Sequence, residues 1–586
     1  RTSPDEEVGQ KATGSPTIGL ATQCCGAFFV RKLLDLQAVR LPLKLLPVTV
    51  MLFACDGTVT VTDDPDDKVP LCAFEDPPAP PSFVTPADRE LLQPEDAVRF
   101  EASVTTELGD TREAEFELHL VANGQPILKV WSAQFDDAGE APTIDLDEGR
   151  FETGFVALDT WQSYAVRARY RDGGELCDFS EWSDFREFRI DDGSEALFDE
   201  SIIRDVEISL SQESFDLINA EALPPGCVPY HRTYHPGDVT FDGNTYEGAG
   251  VRVKGGCGSS RNLGGKASFK INLNDYTSTD TCPESRRARG MKRITVNNGV
   301  QDRSHTHERL AYDFYDLVGV PVPRRAPVRV HVNDELWGLY LHLESIDRRF
   351  LQRRYEGISG EGMLYEGTYF CDMTPNNLPG DPAGPETCFG SKFTEDECST
   401  PHAFGDPYTY APLISFVNRI DALPDGGFYP AIAEFVDFDA YLSQWAAETI
   451  MNHWDGAIFD IRNNYRVYHD PVYDKWVVIP TGMDQSWNAG QRPIDPWVPG
   501  NIIARRCLQE KACEDAFAAR LKEVLTIFEN ADFAAKAEAI RTQIADEVAA
   551  DPRKEGNDFS QRVDNTITFI QNRPAQVNAW LAEHGY

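Results

Sequence analysis

Between Met451 and Tyr468 the chain reads MNHWDGAIFDIRNNYRVY. A carboxylate, Asp455, precedes an amide, Asn464, and the alternating run that follows reads as a strand. A second run, KWVVIP, leads through a turn to another carboxylate, Asp484, in GMDQSW. Carboxylate and amide oxygens are hard ligands of the kind Mg2+ takes. A carboxylate within reach of an acceptor hydroxyl orients it or takes its proton. Asp455, Asn464 and Asp484 thus offer the oxygen groups that a site holding metal and phosphate would use. The same residues have plainer readings: a loop carboxylate bound to backbone amides, an Asx-turn before a strand, and a solvated turn aspartate. His453 gives an H-x-D order, for which a packed or helix-capping histidine is the simpler account.

Phosphoryl transfer also needs cations and close backbone approach around the phosphates. The run GVRVKGGCGSSRNLGGKASFKI supplies Lys254, Lys266 and Lys270 around a glycine turn. On one strand, Lys266 and Lys270 share a face because their spacing is even. Gly255, Gly256 and Gly258 suit backbone contact with phosphate, or simply a tight turn. Glu308, in HERLAY, is placed to pair with one of these lysines from a helix. Glu344, in HLESID, falls where a nucleotide hinge could lie.

Residues 82–191 read as all-β. FELHL alternates with Phe116, Leu118 and Leu120 on one face, and YAVRARYRDGG repeats the pattern through Tyr164, Val166 and Ala168. From about 197 the pattern becomes mixed. THERLAYDFYDLVGV is an amphipathic helix with Leu310, Phe314 and Leu317 on one stripe, ended by Gly319. APVRVHVNDELWGLYLHLESID is a hairpin about an Asn-Asp turn. Residues 356–410 are rich in Gly, Pro and Cys and read as a disulfide-pinned insertion. DFDAYLSQWAAETIMNHW is a helix with Asp437 as N-cap. Helical runs dominate beyond 510.

Two resemblances follow from these motifs. YAVRARY with SEWSDFREFRI resembles a fibronectin type III domain, in which Tyr164 and Trp182 serve packing. GVRVKGGCGSS…GGKASFKI, RLAYDFYDLVGVPVPRRAPVRVHVNDELWGLYLHLESID, WDGAIFDIRNNYRVY and IPTGMDQSW together resemble the spore-coat protein H (CotH) kinase family, over about 197–586. The resemblance implies a multidomain chain: an all-β, fibronectin III-like sandwich, then an α+β atypical protein-kinase-like domain with a helical C-terminal part. It implies a Mg2+- or Mn2+-dependent transfer of phosphate from ATP to Ser/Thr hydroxyls. Asp455 would be catalytic, Asn464 and Asp484 metal-binding, and Lys254, Lys266, Lys270 and Glu308 ATP-binding. Two departures stand out. Gly482 occupies a place where the family often has a second carboxylate, and Cys257 interrupts the glycine turn.

The 586 residues exceed one core, and 41% hydrophobic content with 33 Phe, 20 Tyr and 10 Trp argues against wholesale disorder. A net charge of −40 disfavours nucleic-acid binding and suits basic, Ser/Thr-rich surface proteins as substrates. Within 1–55, Arg40 and Lys44 precede the apolar run Leu45–Ala54, which is too short for a stable span and suits an export signal. LFAC resembles a lipobox, making Cys55 the expected lipid anchor and the only membrane contact. Residues 56–81 are acidic and proline-rich, a tether. The cysteines beyond Cys55 are scattered without zinc spacing and read as disulfides of an exported protein, with Cys507–Cys513 and Cys257–Cys282 as plausible pairs. The competing expectation is a surface binding or adhesion protein whose kinase-like domain lacks turnover.

Overall fold

The computed structural model describes residues 78–586 except 95, 104–111, 123–124, 137–141, 173–177, 222–231, 257, 275–285, 356–361, 379–387, 392–406, 472 and 489–491. The export signal, Cys55, nearly all of the tether and the Cys257–Cys282 pair lie outside the described residues.

The first β region has two sheets. One is ordered β1 (Ser82–Thr85), β3 (Arg99–Ser103), β6 (Thr143–Asp145). The other is ordered β2 (Glu90–Leu92), β9 (Arg186–Ile190), β8 (Ser163–Asp172), β4 (Arg112–Ala122), β5 (Gln125–Asp136), β7 (Arg150–Phe151). Alternation sends Phe116, Leu118, Tyr164 and Val166 inward to a shared core with Phe100 of the first sheet. Phe100 meets Trp131 and Phe188 of the second at ring-centroid distances of 5.3 and 5.8 Å. Trp182 lies outside this core and packs under the guanidinium groups of Arg167 and Arg169, each 4.4 Å from its ring centroid. Those arginines pair with Glu117 and Glu115. Ser183 and Ser180 lock the strap by accepting from the backbone N–H groups of Ala168 and Tyr170.

A closed seven-stranded barrel follows: β10 (Arg204–Ser209), β11 (His235–Phe241), β12 (Asn244–Lys254), β13 (Ser268–Asn272), β14 (Arg293–Asn297), β16 (Glu335–Leu343), β15 (Arg325–Val332). Parallel pairing of β10 with β15 closes it, from Arg204 opposite Val328 to Ile208 opposite Val332. Val251, Val253, Phe269, Ile271 and Val296 point inward. Their neighbours Arg252, Lys254 and Lys270 therefore share the outer face. The β15–β16 turn holds Asn333 and Asp334 at φ 50° and 66°, a conformation these two residues tolerate. Short helix α1 (Gln212–Ala220) packs on β11, and α2 (His307–Leu317) lies outside the barrel.

The second body combines a four-stranded sheet, ordered β18 (Phe389–Ser391), β17 (Leu364–Gly367), β19 (Tyr465–Asp470), β20 (Lys475–Pro480), with helices. The helices are α3 (Arg348–Arg354), α4 (Pro407–Asp421), α5 (Phe428–Ala433), α6 (Phe438–Met451), α7 (Ile502–Cys507), α8 (Lys511–Asn530), α9 (Phe533–Ala550) and α10 (Phe559–Glu583). The cysteine-rich stretch expected as an insertion is thus partly built into a sheet: β17 pairs directly with β19, and the Cys371–Cys388 disulfide staples it. Cys507 and Cys513 are bonded to each other. Asp437 caps α6, its carboxylate accepting from Ala440 N–H. Helix α6 is buried nearly all round, with Trp445 stacked on Phe517 of α8 at 3.7 Å. Arg349 on α3 donates to the Thr160 carbonyl and hydroxyl, so the first β region rests on this helix. No helix among the described residues is long and apolar enough to cross a membrane.

Candidate active site

The loop after α6 begins where Asn452 adopts φ 55° and turns the chain out of the helix. Glu448, one turn back, is wholly buried and receives hydrogen bonds from Gln444 Nε2 (2.8 Å) and from the N–H groups of Ala457 (3.2 Å) and Ile458 (3.1 Å). The loop is thereby folded back over the helix end, presenting Asp455. Gly456 allows this fold, because a Cβ there would stand 2.5 Å from a Glu448 carboxylate oxygen. A glutamate in an otherwise apolar helix stretch is the only sequence signal for this role.

Asp455 is 4% exposed. Its Oδ2 accepts from Asn464 Nδ2 at 3.1 Å, while its Oδ1 is buried without a hydrogen bond and 3.4 Å from His453 Nε2. Burial pushes its carboxyl up to about 7 and pushes the His453 imidazole down to about 4. A neutral histidine therefore packs beside the carboxylate at neutral pH, matching the simpler sequence reading.

Asn464 sits just ahead of β19 at φ 50°, and its carbonyl accepts from Thr481 N–H at 2.8 Å. That bond draws the end of β20 and the following turn against it. Gly482, at φ 62°, passes so close that a Cβ would lie 2.5 Å from Asn464 Oδ1. The sequence departure at Gly482 thus has a steric reason. Asp484 comes next and is half-buried. Burial, then the negative charges of Glu308, Asp455 and Asp302, push its carboxyl well above the ordinary range, with Lys254 opposing them.

On the barrel side, Lys254 donates to Asn297 Oδ1, and Asn297 Nδ2 donates to both Glu308 oxygens at 3.2 and 3.0 Å. Asn297 is thus the bridge between the strand lysine and the helix glutamate, a link the sequence reading missed. Burial lowers the Lys254 ammonium, while Glu308, Asp484 and Glu366 act the other way. His307 fixes the geometry of these parts. Its Nδ1 is 2.9 Å from the Asp484 carbonyl, its Nε2 is 3.0 Å from Thr566 Oγ1 on α10, and its own carbonyl accepts from Trp487 Nε1.

Five of the seven residues singled out from sequence meet here: Lys254, Glu308, Asp455, Asn464 and Asp484. The other two do not share the expected strand face. Lys266 lies ahead of β13, and its ammonium is 2.5 Å from Asp551 Oδ2, both side chains buried. Lys270 is on the outer face of β13, opposite Arg252 and Thr295, one register step from Lys254. Glu344 is buried and clamped by Arg324 and Arg353. Arg232 pins the glycine turn by donating to Gly255 O (2.9 Å) and Ser260 Oγ (2.7 Å).

Among the described residues, no three His, Cys, Asp or Glu side chains stand close enough to hold a metal by themselves. Mg2+ asks for less, since one or two carboxylates plus phosphate oxygens and waters complete its shell. The unpaired Asp455 Oδ1 and the mutually repelling carboxylates around Asp484 suit a divalent cation, which would relieve their repulsion.

Sequence comparison adds kinship. A family model described as CotH kinase protein matches residues 251–577, more than half of the chain. The inner spore coat protein H of Bacillus subtilis (strain 168) is 25% identical over 306 residues, covering 50% of this chain and 79% of that protein.

Proposed function

We propose that this chain, which belongs to the CotH kinase protein family, is an exported phosphotransferase that moves phosphate from ATP to Ser/Thr hydroxyls of proteins. The observation that carries this reading is one electrostatic cluster. Lys254 on the barrel and Asp484 on the facing loop act on each other, with Glu308 behind the lysine and Asp455 beyond the aspartate. A cation held by a bridging amide supports phosphates, and two carboxylates with an amide support Mg2+ and an acceptor hydroxyl.

In this reading Asn464 and Asp484 would hold Mg2+, which would supply charge neutralisation for the phosphates. Asp455 takes the proton of the acceptor hydroxyl, with a carboxyl already poised near neutrality. The acceptor oxygen bonds to the γ-phosphorus, the bond from that phosphorus to the β,γ-bridging oxygen breaks, and ADP leaves with the electron pair. Lys254 steadies the phosphates, and Glu308, through Asn297, steadies Lys254. Lys270 lies on the same outer face of the barrel, opposite Arg252. The first β region serves as a fibronectin III-like spacer. The disulfides Cys371–Cys388 and Cys507–Cys513 support export to an oxidising surface, with Cys55 as its lipid anchor.

Thermal unfolding with and without Mg-ATP tests the reading, because a ligand stabilises only a state that binds it. The wild type should be stabilised and Asp484→Ala should not. No stabilisation in either would sink it and leave a surface binding module.

A further inference from the structure

The turn Thr368–Asp372 leaves the end of β17 and runs beside the catalytic loop. Gly367 stands opposite Tyr465 in the β17–β19 register, so close that a Cβ on it would overlap the Tyr465 ring. The next residues are held from four directions. Thr368 N–H donates to Cys388 O (2.9 Å), Phe370 N–H to Arg462 O (2.8 Å), Arg462 Nη2 back to Phe370 O (3.2 Å), and Tyr465 Oη to Cys371 O (3.0 Å). The Cys371–Cys388 disulfide closes the frame. Within it Phe370 is forced to φ 63°, a conformation an aromatic residue rarely adopts, and its side chain is 56% exposed. Backbone strain of this kind, overdetermined by surrounding bonds, points to function.

We propose that this turn is the acceptor lip of the cleft: Tyr369 is a positioning residue whose phenol donates a hydrogen bond to the acceptor residue beside Asp455, and Phe370 contacts an apolar residue flanking the acceptor hydroxyl in a polypeptide. The proposal rests on the phosphotransferase reading. The bonds of Phe370 to Arg462 and of Tyr369 to Asn463 hold the turn against residues adjoining the Asn464 that binds Asp455. The phosphate-side group Lys254 lies on the barrel instead. The Tyr369 phenol is hydrogen-bonded to the Asn463 side chain, and burial, then the charges of Asp455 and Asp484, push it up to about 12. The phenol is therefore a hydrogen-bond donor at every physiological pH.

The test uses the full chain, radiolabelled ATP with Mg2+, and a pool of serine- and threonine-containing peptides with and without flanking apolar residues. Tyr369→Phe removes only the hydroxyl and should lower kcat/KM for the peptides about tenfold, the loss of one hydrogen bond. The KM for ATP and the Mg-ATP melting shift should stay as in the wild type. Phe370→Ala should raise the KM only for peptides with a flanking apolar residue. Unchanged peptide kinetics in both variants, or an ATP KM that rises in step, overturns the lip while the phosphotransferase reading stands. A wild type that labels no peptide and shows no Mg-ATP shift overturns both.

Discussion

The Lys266 ammonium lies 2.5 Å from the carboxylate of Asp551, a residue 285 positions further on, and both side chains are buried. Asp551 also accepts from the N–H groups of Leu339 (3.1 Å) and Arg553 (2.8 Å). Arg553 in turn donates to Leu263 O and Gly265 O and covers Trp337, 3.7 Å from its ring centroid. The Asp551 carboxylate thus ties the end of α9 to Lys266 and Leu339, and the Arg553 side chain adds Leu263, Gly265 and Trp337.

Removing one partner of a buried ion pair strands the other charge, at a cost of about 3–5 kcal/mol. Asp551→Ala should show that loss in urea unfolding. Lys266→Met combined with Asp551→Leu should recover only part of it, because the Leu339 and Arg553 N–H groups lose their acceptor. In both, protein that remains folded should keep its Mg-ATP melting shift, because this lysine is occupied elsewhere.

Lys254 carries the opposite expectation. Lys254→Met should lower phosphoryl transfer on the order of a hundredfold, the scale of losing one stabilising donor in a reaction site. The Lys254 ammonium is bonded to the Asn297 amide rather than to a carboxylate, so the readout is kinetic. Asn297→Ala should reproduce part of the kinetic loss. Equal activity in wild type and Lys254→Met would remove the lysine from the site.

At Gly482 the predicted effect is on metal use. Gly482→Ala puts a Cβ at φ 62° and 2.5 Å from Asn464 Oδ1, so the amide must move. Holding a non-glycine residue in this left-handed conformation costs about 1–2 kcal/mol. The Mg2+ concentration giving half-maximal activity should rise several-fold, read from a Mg2+ titration of peptide labelling. A titration superimposable on the wild type would show that Asn464 does not hold the metal.

Glu344 sets a pH dependence of stability. Burial pushes its carboxyl up, but Arg353 and Arg324 outweigh that and hold it at about 2, against an ordinary 4.5. A depressed carboxylate stabilises the fold above its unfolded pKa and loses that contribution as pH falls through the folded one. Glu344→Gln should therefore destabilise by about 3 kcal/mol at neutral pH, and the gap should narrow between about pH 4.5 and 2. A gap independent of pH in chemical denaturation would rule out the ion-pair account.

Much of the architecture was legible because local patterns fix local structure. The alternation through Phe116, Leu118 and Val166, the Asn333-Asp334 turn and the Asp437 cap each depend on near neighbours in the chain. The order of motifs also singled out Asp455, Asn464 and Asp484, because the stretches that carry them resemble those of the CotH kinase family. Glu448, Asn297 and Tyr369 escaped notice, because their roles depend on what lies across from them. Residues 356–410 read as an insertion because Gly, Pro and Cys obscured a four-residue strand that is stabilised by β19.

By itself, then, the amino-acid order determined which segments become strands and helices, and which acidic and amide groups could do chemistry. It left three lysines nearly equivalent, all within one glycine-flanked pair of runs. Only the tertiary structure separated them, sending Lys266 into a pair with Asp551 and Lys254 toward Asn297, Glu308 and Asp484. The physical reason is that a charge settles where an opposite charge or a hydrogen-bond acceptor offsets its desolvation, and folding brings those partners from distant parts of the chain.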